Sequence, residues 1–323
     1  MDAIVLAGGY ATRLWPITIQ KSKMLLPLDG ESLVFDNILP ELEAADRIDN
    51  VYINTNRGHR RMFRQCLLNR SYTKPTLSVE DTREESEKYG VVGGLNRLIR
   101  RENITDDILV IGGDNIINFS VAEALEFYDD VNAPVLGAYD VGSYEAAKQY
   151  GVLSTDDTRV VDFHEKPDDP DTTLASIAFY VFPSEQLDMI DTYLGEGNNS
   201  DEPGWFIQWL YQQTAVHAFS FEEQWFDIGT PESYREAVQW ALGDDAHVAD
   251  SATVNNATVS GGTVLMDGAT VENATVEDSV IFENATVTSS TVEDCLIGND
   301  AEVHGLDCSQ SSVGPHTNIN NDR

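Results

Sequence analysis

The chain has 323 residues, 41% of them hydrophobic, with 20 Lys+Arg against 55 Asp+Glu and a formal net charge of −35. A surface so acidic repels polyphosphate backbones and argues against nucleic-acid binding. No stretch approaches the roughly 18–20 apolar residues of a membrane span, so no membrane partner is expected. The acids are spread along the whole length, which suits concentrated salt, where a Debye length of about 3 Å screens self-repulsion. The expectation is a halophilic, archaeal, cytoplasmic protein. A strand begins almost at residue 1, leaving no room for a signal peptide. Cys66, Cys295 and Cys308 are odd in number and widely spaced, and they are read as reduced thiols.

In chain order, residues 3–7 (AIVLA) read as a short buried parallel strand that runs into Gly8 and Gly9. Thr12, Arg13 and Leu14 open the next segment. A strand, a glycine turn and a guanidinium make a phosphate cradle, in which backbone N–H groups and Arg13 face a polyanion. Further strands are expected at 51–55, 108–113, 134–139 and 177–182, with helices at 33–45, 57–69, 91–101 and 120–129. This alternation predicts a dinucleotide-fold-like sheet, with ligands at the carboxyl ends of its strands. Asp114 follows one of these strands, where a carboxylate can ligate Mg²⁺.

After Gly243 the composition changes: no Lys or Arg occurs from 244 to 322. The triplet ATV recurs at 252–254, 257–259, 269–271, 274–276 and 285–287. Val271, Val276, Ile281, Val287, Val292, Ile297 and Val303 are spaced 5 or 6 apart, with a longer period of 16. That regularity predicts a solenoid with three short faces per coil. The expected division is an α/β domain over 1–242, a repeat domain over 243–308 and a frayed polar tail over 309–323.

Residues 6–27, LAGGYATRLWPITIQKSKMLLP, resemble the signature LAGGxGTRLxPLT…PKxLLP of sugar-1-phosphate nucleotidyltransferases, the NDP-sugar pyrophosphorylases. Two more blocks look like this family: YGVLSTDDTRVVDFHEKP at 150–167 and WFDIGTPESY at 225–234. The repeat region is similar to the left-handed β-helix of hexapeptide-repeat proteins. The fold expected is therefore α/β, a Rossmann-like, mixed and mostly parallel sheet followed by a left-handed β-helix. The resemblance implies that Arg13, Lys23 and Lys166 are catalytic cations. It implies nucleotide binding by Leu6, Ala7, Gly8, Gly9, Tyr10, Thr12, Arg13, Glu85, Gly90 and Gly113. Tyr150, Gly151, Glu165, Lys166 and Trp225 would hold the sugar phosphate, and Asp114 and Asp227 would hold Mg²⁺.

Two positions depart from the pattern. Ala11 replaces the third glycine, so a positive φ is not expected there. Ser22 replaces the proline before Lys23, so a looser loop is expected. The reaction implied is in-line attack of a sugar 1-phosphate on the α-phosphate of an NTP, giving NDP-sugar and pyrophosphate. Glucose 1-phosphate with dTTP or UTP is the favoured pair, and mannose 1-phosphate with GTP is the runner-up. A bifunctional enzyme whose β-helix transfers acyl groups through His247 or His304 is a second reading, and a non-catalytic regulatory paralogue a third. On the main reading the β-helix joins copies into a homo-oligomer.

Overall fold

The computed structural model describes residues 1–321 and contains two compact units, Met1–Gly9 with Ile38–Trp225, and Tyr10–Asn37 with the chain from Phe226 onward. The first unit is built on strands β1 (Asp2–Ala7), β2 (Asn50–Asn56), β3 (Pro75–Glu80), β4 (Ile108–Gly112), β5 (Asn115–Ile117), β6 (Val135–Asp140), β7 (Gly151–Asp156), β8 (Arg159–Glu165), β9 (Leu174–Phe182) and β10 (His217–Ser220). All but β5 form one sheet, in the order β3-β2-β1-β4-β9-β6-β10-β8-β7. The first four strands are parallel, and β9 runs antiparallel between β4 and β6. Ala3, Ile4, Val5 and Ala7 are all fully buried, as a parallel strand covered on both faces requires.

Helices α1 (Leu39–Ala44), α2 (Arg60–Leu68), α3 (Val91–Glu102), α4 (Val121–Val131), α5 (Tyr144–Ala147), α6 (Asp188–Gly195) and α7 (Pro203–Leu210) accompany the strands. Leu95, Leu98 and Ile99 form the apolar stripe of α3. They join Ile190 and Tyr193 of α6 and Phe206, Ile207 and Leu210 of α7 over Ile4, Val110 and Tyr180. The helix expected over 33–45 is split: a 3₁₀ turn covers Val34–Asn37 and α1 begins at Leu39. Pro40 explains the break, because its ring and missing N–H suit only the first turn of a helix. The hairpin β7–β8 went unread in the sequence; its turn uses Asp157 at φ 54.

The second unit contains α8 (Pro231–Leu242), whose start is closed by a capping box between Thr230 and Ser233. A parallel β-helix follows, with three sheets of strands two or three residues long. The first coil advances by 17 residues (Val254 pairs with Val271) and the next ones by 16 (Val271 with Val287, Val287 with Val303). The extra residue falls at Gly261–Gly262, where a Cβ on Gly262 would lie 2.7 Å from Gln239 Cα of α8. Leu265, Ile281 and Ile297 stack in one inward column, and Val276 and Val292 in another, all without solvent exposure.

From Asn256 onward each corner turns on a left-handed residue. One series is Gly268, Asn284, Asp300 and His316, and another is Asn256, Asn273, Ser289 and Gly305. Asn, Asp and Gly visit that region at least cost, so they recur at the coil's period. Buried hydroxyls at the corners are satisfied locally: Ser279 Oγ donates to Glu277 O (2.7 Å) and accepts from Cys295 N (2.9 Å). The coil extends past the tail boundary expected at residue 309. Ser312–Val313 pairs with Leu296–Ile297, and Asn318–Asn320 with Glu302–His304. Polar outward residues hide the period there, while Val313 and Ile319 keep the inward columns. Residues 322 and 323 lie outside the described chain.

Candidate functional site

The strands β1, β2 and β3 step one way across the sheet, and β4 returns to the other side of β1, so their carboxyl ends flank a topological switch point. Leu6 and Ala7 end β1 there, and Leu6 O accepts from Gly113 N (3.0 Å). A Cβ on Gly9 would meet nothing within 4 Å, so the turn leaves open space beside its backbone. Buried polar groups brace it from behind. Asn56 Nδ2 donates to Gly8 O (3.0 Å) and lies 3.1 Å from His59 Nδ1. Asn54 Nδ2 donates to Glu80 Oε1 (2.7 Å). Burial lowers the His59 pKa, which favours the neutral ring beside Asn56. Asn54, Asn56 and Glu80 were missed in the sequence, where the only signal was a polar residue inside an apolar strand.

Asp114 is half-buried just beyond β4 and accepts from Asn115 Nδ2 (3.0 Å). Asn115 Oδ1 in turn accepts from Trp225 Nε1 (2.7 Å). Trp225 is buried and lies edge-on to Tyr150, with centroids 5.3 Å apart. The structure therefore places Trp225 as a brace for the residue next to Asp114.

At the end of β8 the chain gathers four expected residues, Tyr150, Gly151, Glu165 and Lys166. Glu165 Oε2 lies 1.6 Å from where a Cβ on Gly204 would be, and 2.6 Å from one on Gly151. The carboxyl fills the space a side chain would need at Gly204, and together with the Phe163 ring it does so at Gly151. Burial raises the Glu165 pKa to about 7, against the pull of the Lys166 charge. Lys166 has φ 46, and its N–H donates to Tyr150 O (3.0 Å). Its ammonium is hydrogen-bonded to Glu202 and lies 4.0 Å from Glu165 Oε1.

Gly90 starts α3 with φ 77, and a Cβ there would sit 2.2 Å from Ser200 O. The orphan N–H groups of α3 are taken by this neighbouring segment: Val91 N donates to Asp201 O (3.0 Å) and Val92 N to Ser200 O (3.0 Å). Glu85, expected at the base, is paired with Lys88 (2.8 Å), which also reaches Asp201 (3.0 Å). Segment 198–202 and Glu202 were also missed, because no spacing in the sequence marks them.

The second unit holds Tyr10, Thr12, Arg13, Lys23 and Asp227. Ala11 overturns its expectation: it has φ 50 and caps the 3₁₀ turn Thr12–Leu14. Its carbonyl accepts from Leu14 N (3.0 Å) and Thr18 Oγ1 (2.8 Å), which offsets the 1–2 kcal/mol that a left-handed alanine typically costs. The loop at Lys23 is not loose either. Ser22 is fully buried, Lys23 is 8% exposed and Met24 to Leu26 are core. Two motifs far apart in sequence meet within this unit. Arg13 Nη2 lies 3.0 Å from where a Cβ on Gly229 would be, and Tyr234 Oη donates to Pro27 O (2.6 Å). Asp227 O accepts from Gly229 N (2.8 Å), fixing the turn that presents its half-buried carboxylate.

The family model described as "Nucleotidyl transferase" matches residues 2–242. The chain belongs to the nucleotidyl transferase family. One relative, named as a mannose-1-phosphate guanyltransferase of Sulfolobus acidocaldarius, is 33% identical over 235 residues, covering 72% of this chain and 61% of its own. A glucose-1-phosphate adenylyltransferase of Mycoplasma mobile is 28% identical, covering 73% of this chain and 66% of its own. The chain thus spans a little under two thirds of the length of these relatives. A crystal structure described as a glucose-1-phosphate thymidylyltransferase from Bacillus anthracis, in complex with a sucrose, shares the fold. Its TM-score is 0.65 at 23% identity, covering 76% of this chain and 96% of that one.

Proposed function

We propose that the chain transfers a nucleotidyl group from an NTP to a sugar 1-phosphate. The sugar-phosphate oxygen attacks the α-phosphorus in line, the bond to the β-phosphate breaks, and pyrophosphate leaves with the electron pair. The observation that carries this reading is the cluster at the end of β8. A buried carboxyl, given room by two glycines, sits 4.0 Å from a lysine whose backbone is fixed in a left-handed turn. Such a pair suits a ligand with hydroxyls at one end and a phosphate at the other: Glu165 orients the hydroxyls and Lys166 takes the phosphate.

The open glycine turn after β1 offers backbone N–H groups to the triphosphate, and the resemblance assigns Arg13 and Lys23 to its charge. Asp114 and Asp227 are half-buried hard-oxygen donors, which suits Mg²⁺ better than a transition metal. Among the described residues no group of three or more His, Cys, Asp or Glu forms a metal cage. Mg²⁺ needs none, since it binds through one or two carboxylates plus substrate phosphates. When bound it neutralises charge around the α-phosphate.

Two substrate pairs compete. Glucose 1-phosphate with dTTP or UTP follows the general likeness to the shorter nucleotidyltransferases. Mannose 1-phosphate with GTP is favoured by the name of the Sulfolobus relative. The setting is a salt-rich cytoplasm, in keeping with the charge of −35 and with the absence, among the described residues, of a helix long and apolar enough to cross a membrane. Self-association would use the β-helix, whose first coil leaves the inward positions Val248 and Val254 exposed. Acyl transfer is less favoured. The His247 ring fills the space beside Gly30, and His304 Nδ1 is 2.6 Å from Thr288 Oγ1. Residues 244–321 also contain no cation for coenzyme A phosphates.

The test is pyrophosphate release in about 2 M KCl with Mg²⁺, crossing five nucleoside triphosphates with glucose, mannose and N-acetylglucosamine 1-phosphates. One productive pair, lost in Asp114→Ala, establishes the reaction. Folded protein that binds nucleotide but releases nothing from any pair supports the regulatory reading.

A further inference from the structure

We propose that Glu202 is a displaceable counter-ion for Lys166, a positioning residue that holds the ammonium until a phosphate monoester takes its place. The proposal rests on the assignment of Lys166 to the sugar phosphate. Lys166 lies between two carboxylates, hydrogen-bonded to Glu202 and 4.0 Å from Glu165. Burial works against charge on Glu165, while contact with Lys166 holds the Glu202 carboxyl below its usual range. Glu202 is therefore the anion that neutralises Lys166, and a phosphate arriving at the same ammonium competes with it directly.

The geometry restricts the exchange to side chains. The Lys166 backbone is held by its bond to Tyr150 O. The Glu202 backbone is pinned by Asn199 Oδ1, which accepts from Asp201 N (2.8 Å) and Glu202 N (3.2 Å). The same segment is tied to the start of α3 through Ser200 O and Asp201 O. Both side chains are partly exposed, 45% for Lys166 and 38% for Glu202, so each is free to swing.

Glu202 also has a second place to go. It is the N-cap residue of α7, yet its side chain makes no capping hydrogen bond. One of its oxygens, Oε2, already accepts from Trp205 Nε1 in the first turn of that helix (3.1 Å). Released from Lys166, the carboxylate stays at a helix N-terminus, where a negative charge is favourable. An ion pair this exposed is worth at most about 1 kcal/mol, so a ligand displaces it readily.

The test is calorimetric titration of the full chain in molar KCl with inorganic phosphate and, separately, with glucose and mannose 1-phosphates. The proteins are wild type, Glu202→Gln, Lys166→Gln and the double variant, with the KM for each substrate measured alongside. Glu202→Gln is expected to tighten both phosphate and the accepted sugar 1-phosphate by about threefold to fivefold, which is up to about 1 kcal/mol. The KM for the sugar phosphate should fall with it, while the KM for the nucleotide stays put, a split that general loosening would not produce. The gain should vanish when Lys166 is also replaced. If Lys166→Gln weakens wild-type binding but Glu202→Gln leaves it unchanged or weaker, the counter-ion proposal falls and the assignment of Lys166 stands. If Lys166→Gln has no effect on wild type, the assignment fails and the proposal fails with it.

Discussion

The sheet around β1 and the coil after α8 solve the burial problem in opposite ways. In the coil one rule is repeated: an inward valine or isoleucine, an outward polar residue, and a left-handed residue at the corner, mostly Asn, Asp or Gly. In the sheet almost every special residue is used once. Gly204 makes room for Glu165, Gly90 meets Ser200, and Asn56 braces Gly8. Repetition spreads stability over equivalent positions, whereas single-use contacts concentrate function in a few side chains. Damage to the coil should therefore appear in stability, and damage to the strand ends in activity.

The largest effect expected is Asp114→Asn, which should cut turnover at least a hundredfold while moving the thermal midpoint by only a degree or two. Steady-state kinetics beside a melting curve checks both halves. Next comes a contrast within the coil. Val287→Ala, at a fully buried position, should cost about 2 kcal/mol, while Val254→Ala, in the open first coil and 43% exposed, should cost less than about 1. Equal costs in denaturant titrations would mean that the first coil is covered in solution, as self-association would predict.

A pH experiment sharpens the comparison on the sheet side. The Glu165 pKa is about 7 in the folded chain against 4.5 for an unperturbed glutamate. The folded state thus binds the proton more tightly, and the stability this gives is full below about pH 4.5 and lost as pH rises through 7. Glu165→Gln should gain on wild type across that window, by on the order of 3 kcal/mol at pH 8 relative to pH 4.5. A constant difference between the two proteins would contradict the burial of that carboxyl. The smallest effect is at a corner: Ser289 has φ 52, and Ser289→Asn should stabilise by a few tenths of a kcal/mol.

The two regions also differed in what could be read from the sequence. The coil was legible because a period of 16 shows in any linear listing. It faded at the tail, where Gln310 and His316 stand at corners that asparagine or glycine usually fills. In the sheet, β1 and its glycine turn were plain, and so was the place of Asp114 just past the carboxyl end of β4. Ala11 was misjudged because its left-handed turn is held by Thr18, seven residues away. Glu80, Asn54 and Glu202 were invisible for the same reason: their roles come from partners brought together by the fold, and no local spacing encodes that.

The most direct test of the account follows the phosphorus atom. Glucose and mannose 1-phosphates labelled with ³²P are incubated with each nucleoside triphosphate and Mg²⁺ in molar KCl, and the products are separated. In-line transfer predicts label in an NDP-sugar and none in pyrophosphate, with formation lost in Lys166→Ala. Label that stays entirely in the sugar 1-phosphate, with folded protein and every triphosphate tried, would contradict it.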